Sequence, residues 1–241
     1  MHFNTRGFVF HVIRYGDSGA IVKIYTEQFG LKSYLVKGLY SRKSKLRSAL
    51  FNHMSMLDII ADHKDNRSLH FIKEASLCKH IPVITDDMSR SSVLMFINEL
   101  LFKCIKEEEP NPGIFHFIDA SVDLLNNPEI SLPAFHLLFM LRLTSFLGFA
   151  PRFSKAAEGR YFDMEEGLFM DSEPLHRYYI SGAAASMLEK LQLADFLSLG
   201  EIRFPREVRN DLLSRLIEYY RLHIPDMGEM KTVKVLQEVL S

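Results

Sequence analysis

The chain has 241 residues, 47% hydrophobic and 24% charged, which is enough apolar mass for one large core or two smaller ones. Its net charge of −1 conceals an asymmetry: residues 1–80 hold 13 Lys and Arg against 6 Asp and Glu, and residues 81–241 hold 16 against 24. That excludes a uniformly basic or acidic protein, and it directs the first part, at +7, toward an anion such as nucleic acid.

Residues 6–80 read as strands. Phe8, Phe10 and Val12 alternate, then Ala20, Val22 and Ile24, then the short run Ser33 to Val36. Leu57, Ile59 and Ala61 follow, and then Leu69, Phe71, Ala75 and Leu77. A period of two over short runs marks half-buried strands, and Gly16-Asp17-Ser18, Phe29-Gly30 and Lys64-Asp65-Asn66 punctuate them as turns. Five strands with no helix between them cannot form a parallel sheet with crossover helices. A small closed antiparallel barrel is the economical solution, because closure removes exposed edges.

Between the third and fourth strands lies Tyr34 to Phe51, in which Lys37, Arg42, Lys43, Lys45 and Arg47 occur with no intervening acid. Gly38 permits a sharp change of backbone direction, which places these cations on a loop. Such a cluster suits a polyanion, since each cation that neutralises a phosphate releases a condensed counterion. The plain alternative is a solvated basic loop. Tyr40, on the loop, is the aromatic best placed to stack on a base, whereas Tyr34 and Phe51 fit a core. Arg14, Lys23 and Lys32 are strand or turn cations that either extend a groove or decorate the surface.

The pattern changes near Pro82. Thr85 to Asp87 offer N-cap residues, and Val93, Phe96, Ile97, Leu100, Leu101, Cys104 and Ile105 then fall at helical spacing. Further helices are predicted over 114–125, from an N-cap at Ser131 with Pro133 in the first turn to Phe146, over 181–191, over 205–222 and over 229–240. Residues 150–178 are polar, aromatic and irregular. The expected organisation is therefore α+β, with a five-stranded barrel over 1–80 and an all-helical domain over 81–241.

Several classes of chemistry lack support. Cys78 and Cys104 form no CxxC pair, and two scattered thiols suit a reducing cytosol. The ten histidines form no HExxH pair, and neither a GxxxxGK[ST] nor a GxGxxG loop occurs. No nucleophile is paired with a base, so an enzyme is not expected. The most apolar window, Leu132 to Pro151, is broken by His136, Arg142, Thr144 and Ser145 and reads as a buried helix. The N-terminus lacks the apolar segment of a signal peptide, and a cytoplasmic protein is expected.

The chain resembles the RecO family of bacterial recombination mediators. The resemblance rests on Gly7-Phe8-Val9, Arg14-Tyr15-Gly16-Asp17-Ser18, Ile24-Tyr25-Thr26-Glu27, Phe29-Gly30-Leu31, and Val36-Lys37-Gly38 leading into Arg42 to Arg47. It continues through Leu147-Gly148-Phe149-Ala150-Pro151 and Tyr219-Tyr220-Arg221-Leu222-His223, then Lys231-Thr232 and Val235-Leu236. It implies an N-terminal OB-fold barrel, a helical C-terminal domain, binding and annealing of single- and double-stranded DNA, and association with the nucleoid. It also implies work with RecR on DNA coated with single-strand-binding protein, and through these the loading of RecA. No cofactor is implied. On this reading Lys37, Tyr40, Arg42, Lys43, Lys45 and Arg47 would contact DNA. The competing expectation is an interaction scaffold whose barrel no longer binds nucleic acid.

Two further expectations follow from the resemblance. Contact with the acidic, apolar-tipped tail of single-strand-binding protein needs an apolar pocket rimmed by cations, with Arg142, Arg152, Arg206, Arg209 and Arg215 as candidates. Many family members carry four cysteines, as two close pairs, after the Leu-Gly-Phe-Ala-Pro element. Here Arg152 to Met170 has none, so no structural zinc is expected. Glu158, Asp163, Glu165 and Glu166 are acids able to bind a hard cation, but such groups are more often solvated turn charges. In place of a metal, Tyr161-Phe162 and Leu168-Phe169 are expected to form a hairpin around residues 164–167, its aromatics packed onto helices.

Overall fold

Five strands form the N-terminal region: β1 (His2–Tyr15), β2 (Gly19–Thr26), β3 (Gly30–Val36), β4 (Met56–Asp62) and β5 (Leu69–Leu77). The structure, a computed structural model, describes residues 2–42, 46, 48–63, 67–106, 108–152 and 161–240. The strands close into a barrel in the order β1-β2-β3-β5-β4, the five-stranded arrangement of the OB-fold. The sequence alone suggests a wholly antiparallel barrel, but β3 and β5 run parallel, from Ser33 beside Leu69 to Leu35 beside Phe71. The reason is topological. An odd number of strands closed into a ring cannot alternate direction all the way round.

Val9, Ala20, Val22, Ile24, Tyr34, Val36, Leu57, Ile59, Ala61 and Ile72 fill the barrel, with Leu39 and Phe51 packed among them. Two bulges alter the faces that simple alternation suggests. In β1 the pairing with β2 shifts between Val9 and His11, so Phe10 is the extra residue. Phe8 and Phe10 therefore lie on the outer wall, whereas Val9 and Val12 serve the interior. The register with β4 shifts again between Ile60 and Ala61, making Lys73 the extra residue of β5. His70 and Ile72 are buried as a result, and Phe71, expected in the core with Leu69, is only half-buried on the outside. A bulge adds one residue and so exchanges inside for outside along the rest of the strand.

The helices are α1 (Pro82–Asp86), α2 (Met88–Cys104), α3 (Pro112–Leu125), α4 (Phe135–Leu147), α5 (Gly182–Leu193), α6 (Arg206–His223) and α7 (Val233–Val239). Asp87 caps α2, its Oδ1 accepting the N–H groups of Ser89 and Arg90 at 2.7 and 3.1 Å. α4 starts later than Ser131 and Pro133 suggest. The Phe135 N–H bonds to the Leu132 carbonyl, closing a turn, and the helix begins beyond it. Gly148, at φ 86°, stops it.

Two compact units result: Met1–Pro82 with Asn98–Ala120, and Val83–Ile97 with Ser121–Ser241. In the first, the helical residues cover part of the barrel wall. Phe115 lies 5.4 Å from the Phe8 ring, and Phe10 stacks on Tyr25 at 5.6 Å. Asn98 donates to the Phe10 carbonyl at 3.1 Å. Arg6 forks onto Glu27 at 2.8 and 3.0 Å with its guanidinium over Phe115.

In the second unit, Phe149 of the Leu-Gly-Phe-Ala-Pro element sits edge-on to Tyr219 and Tyr220 and stacks on His223 at 4.9 Å. Two separated sequence signatures thus meet in one aromatic cluster. The buried Arg90 guanidinium donates to the carbonyls of Leu125, Asn127, Pro128 and Ile130, all within 2.7–3.1 Å, and so satisfies the end of α3. The expected hairpin is present as β6 (Tyr161–Asp163) and β7 (Leu168–Met170), and β8 (Tyr179–Ser181) joins it on the other side of β6. Phe162 packs edge-on to Tyr219 of α6.

Candidate nucleic-acid interface

Cross-strand partners share one face of a sheet, so the outer wall of the barrel divides into transverse rows. Phe8, Tyr25 and Leu31 form one row on β1, β2 and β3; all three are buried, and the Tyr25 hydroxyl donates to the Asn111 carbonyl at 3.3 Å. The next row is His11, Lys23, Ser33 and Leu69, each half-buried. Beyond it run Ile13, Ile21, Leu35 and Phe71 across four strands. Ile13 is 45% exposed and its three partners are half-buried. The last two rows form an open strip, apolar along one line and polar along the other.

Cations and aromatics gather where this strip meets the turn between β1 and β2. The Lys37 ammonium sits 5.0 Å from the Phe71 ring centroid, and the Arg14 guanidinium 5.4 Å from that of Tyr40. Tyr40, 46% exposed, donates its N–H to the Ser18 carbonyl at 2.9 Å, which ties the start of the basic loop to that turn. Gly38, at φ 65°, makes the change of direction that brings the chain there. Tyr15 is 54% exposed, and Arg42 is exposed. An apolar shelf edged by guanidinium and ammonium groups suits a strand whose bases lie on the shelf and whose phosphates meet the edge.

Of the residues expected to contact DNA, Lys37, Tyr40 and Arg42 are exposed at this edge, and Lys43, Lys45 and Arg47 lie outside the described residues. Tyr34 and Phe51 are core residues, 0% and 4% exposed. Lys32 does not extend the strip. Its side chain is 16% exposed and its ammonium lies 3.2 Å from a Glu108 carboxylate oxygen. Sequence reasoning missed Ile13, Ile21, Leu35 and Phe71, because half-exposed apolar residues with a period of two look like core. Arg67 is exposed two residues before β5.

In the helical unit, all five candidate arginines have internal partners. Arg142 donates to the carbonyls of Gln192 and Ala194, Arg152 to Glu166, Arg206 to Gln237, and Arg209 to Phe204 and Leu240. Arg215 lies 3.7 Å from Asp211 and 3.5 Å from Glu218. Asp163 is not the solvated turn charge expected. It is 4% exposed, and its Oδ1 accepts the N–H groups of Glu165 and Glu166 at 2.8 and 3.1 Å. His176 Nε2 stands 3.2 Å from Oδ2, and its Nδ1 accepts the Tyr178 N–H. This clasp holds the hairpin together. Residues 153–160, which include Glu158, lie outside the described residues, among which no group of three or more His, Cys, Asp or Glu could hold a metal.

A closed OB-type barrel with an open outer strip, followed by helices, defines the class to which this chain belongs. Comparison narrows it. The family model described as "Recombination protein O N terminal" matches residues 1–81, and "Recombination protein O C terminal" matches residues 85–231. The DNA repair protein RecO of Bacteroides fragilis is 36% identical over 236 residues, 98% of each chain. That of Phocaeicola vulgatus is 34% identical over 237 residues, again 98% of each, and that of Azobacteroides pseudotrichonymphae 30% over 241, 99% of each. The chain belongs to the RecO family of DNA repair proteins. No described helix is long and apolar enough to cross a membrane.

Proposed function

We propose that this chain is a non-enzymatic recombination mediator. Its barrel binds single- and double-stranded DNA and anneals complementary strands. With RecR it acts on DNA covered by single-strand-binding protein, whose tail it engages, and it thereby assists RecA, in the cytoplasm and at the nucleoid. The observation that carries the reading is the open strip, where Ile13, Ile21, Leu35 and Phe71 lie beside Lys37, Arg14, Tyr40 and Arg42. In the sequence, Lys43, Lys45 and Arg47 follow Arg42 with no intervening acid. Contacts to phosphates bind all sequences alike, and a shelf accepts any base by its face, so the binding it supports is indifferent to sequence.

The test is a salt titration of binding to a single-stranded oligonucleotide. The parent chain should show a steep negative log–log slope. Replacing Arg42, Lys43 and Lys45 together with Ala should flatten it by roughly one unit per lost phosphate contact. A folded triple variant with unchanged affinity at low salt removes the loop from the site, and a parent chain that binds no DNA leaves an interaction scaffold.

A further inference from the structure

We infer that Glu108 and Glu109 form an acidic wall that ends the DNA footprint at the β2–β3 turn of the barrel. The inference rests on the reading of the open strip as a DNA site, and it concerns where that site stops.

The wall is fixed by close packing within the barrel unit. Gly30 lies at φ 65° in the turn between β2 and β3, and a Cβ placed there would come within 2.4 Å of the Glu109 carbonyl oxygen and 3.0 Å of the Glu108 carbonyl carbon. Only glycine admits backbone at that distance. The Tyr25 hydroxyl reaches the Asn111 carbonyl just beyond. The segment from Glu108 to Asn111 therefore lies across the turn and over the row where Tyr25 and Leu31 are buried, and the half-open rows begin beside it.

The charge of this segment opposes that of the opposite end. β3 runs from Gly30, under the glutamates, to Val36, which leads into Lys37. Seven strand residues span roughly 20 Å, so the strip has a cationic end and an anionic end about two Debye lengths apart at physiological salt. Glu108 is 71% exposed at its side chain and holds at 3.2 Å the ammonium of Lys32, which pairs with Ile24 on the inner face of the barrel, so this carboxylate lies at the barrel mouth beside the turn. Glu109 is exposed as well. A DNA strand laid from the basic loop along β3 would bring its phosphates to Ser33 and then, about 10 Å further on, to the turn against which the two glutamates pack. Like charges there suppress further binding and fix one end of the footprint.

The experiment uses the full chain and oligothymidylates of increasing length at low salt. The variants are Glu108→Gln with Glu109→Gln, Lys32→Gln, and Arg42→Ala as a control at the cationic end. The wall predicts that the double variant binds roughly three- to tenfold tighter, with a salt slope steeper by about one unit for each additional phosphate that the protein neutralises. Its affinity should also keep rising to longer oligonucleotides than for the parent chain. Lys32→Gln, which leaves Glu108 unneutralised, should bind more weakly. A double variant with the parent's affinity, slope and plateau length, alongside an Arg42→Ala that weakens binding, overturns the wall and leaves the DNA site standing. If Arg42→Ala has no effect either, both readings fall together.

Discussion

The outer wall of the barrel is built from one set of strands and meets two fates. Toward the β2–β3 turn, Phe8, Phe10 and Tyr25 are roofed by Phe115, Asn98 and Asn111, and nothing there is free to bind. Toward the β1–β2 turn, Ile13, Ile21, Leu35 and Phe71 carry no such roof among the described residues and stay partly in water. Both regions are apolar and both alternate with a period of two. What separates them is whether a helical segment from elsewhere in the chain lies on top. An apolar side chain roofed by protein stabilises the fold; the same side chain left open, beside cations, is available to a ligand.

The sharpest way to break this comparison is to exchange the consequences. Phe115→Ala, on the covered side, should cost about 3–5 kcal/mol, because a ring 0% exposed leaves a cavity under the roof. Denaturant unfolding would measure it, and the affinity of the remaining folded protein for single-stranded DNA should stay within about twofold. Phe71→Ala, on the open side, should do the reverse. Its stability cost should be under about 1.5 kcal/mol, while DNA affinity falls by about 1–3 kcal/mol if one base stacks on the ring. Comparable stability losses in the two variants, with no change in binding, would erase the distinction.

The smallest effect concerns acid. His11 stacks on Phe102 at 4.9 Å at the seam between the two regions. Burial, with His53 and Lys23 nearby, holds its imidazole below the usual histidine range. A folded-state value below the unfolded one means that the unfolded chain takes up the proton first. The contribution to stability is therefore present above about pH 6.5 and is lost progressively as pH falls from there through the lowered folded-state value. His70, also lowered by burial, and His136, pushed down to about 3, act with the same sign. The test is thus the difference between the parent and His11→Gln, in which the fall of stability between pH 7 and pH 5 should be shallower. Identical pH profiles would show that the seam does not sense protonation.

Much of this fold is readable from the residues. The five strands fall where Phe8, Val22, Leu57 and their neighbours alternate, and the hairpin forms where Tyr161-Phe162 and Leu168-Phe169 flank Met164 to Gly167. Faces are less readable than strands. Phe10 and Lys73 each enter as one extra residue, and nothing in their chemistry announces that a partner strand will skip them. The apolar row of the open strip is hidden for a related reason: periodicity separates inside from outside, but it does not reveal what covers the outside. The basic loop stands out because charge density needs no partner to be seen, whereas the clasp of Asp163 with His176 joins residues 13 positions apart that no local pattern connects.

The one parallel pair of the barrel carries a kinetic consequence. Ser33 meets Leu69 across 36 positions of chain, whereas the strands of the β1–β2 and β2–β3 hairpins meet across tight turns. The entropy of closing the longer loop must be overcome before any contact between β3 and β5 repays it. This seam and the β1–β4 pairing, in which Phe8 meets Met56 across 48 positions, are therefore both expected to form after the hairpins. The cation-rich segment lies inside the loop being closed, so the like charges there must be drawn together in the same step. Folding should accordingly quicken with added salt or a bound polyanion, which makes the rate of barrel closure, as well as the affinity of the finished protein, a reporter of that charge.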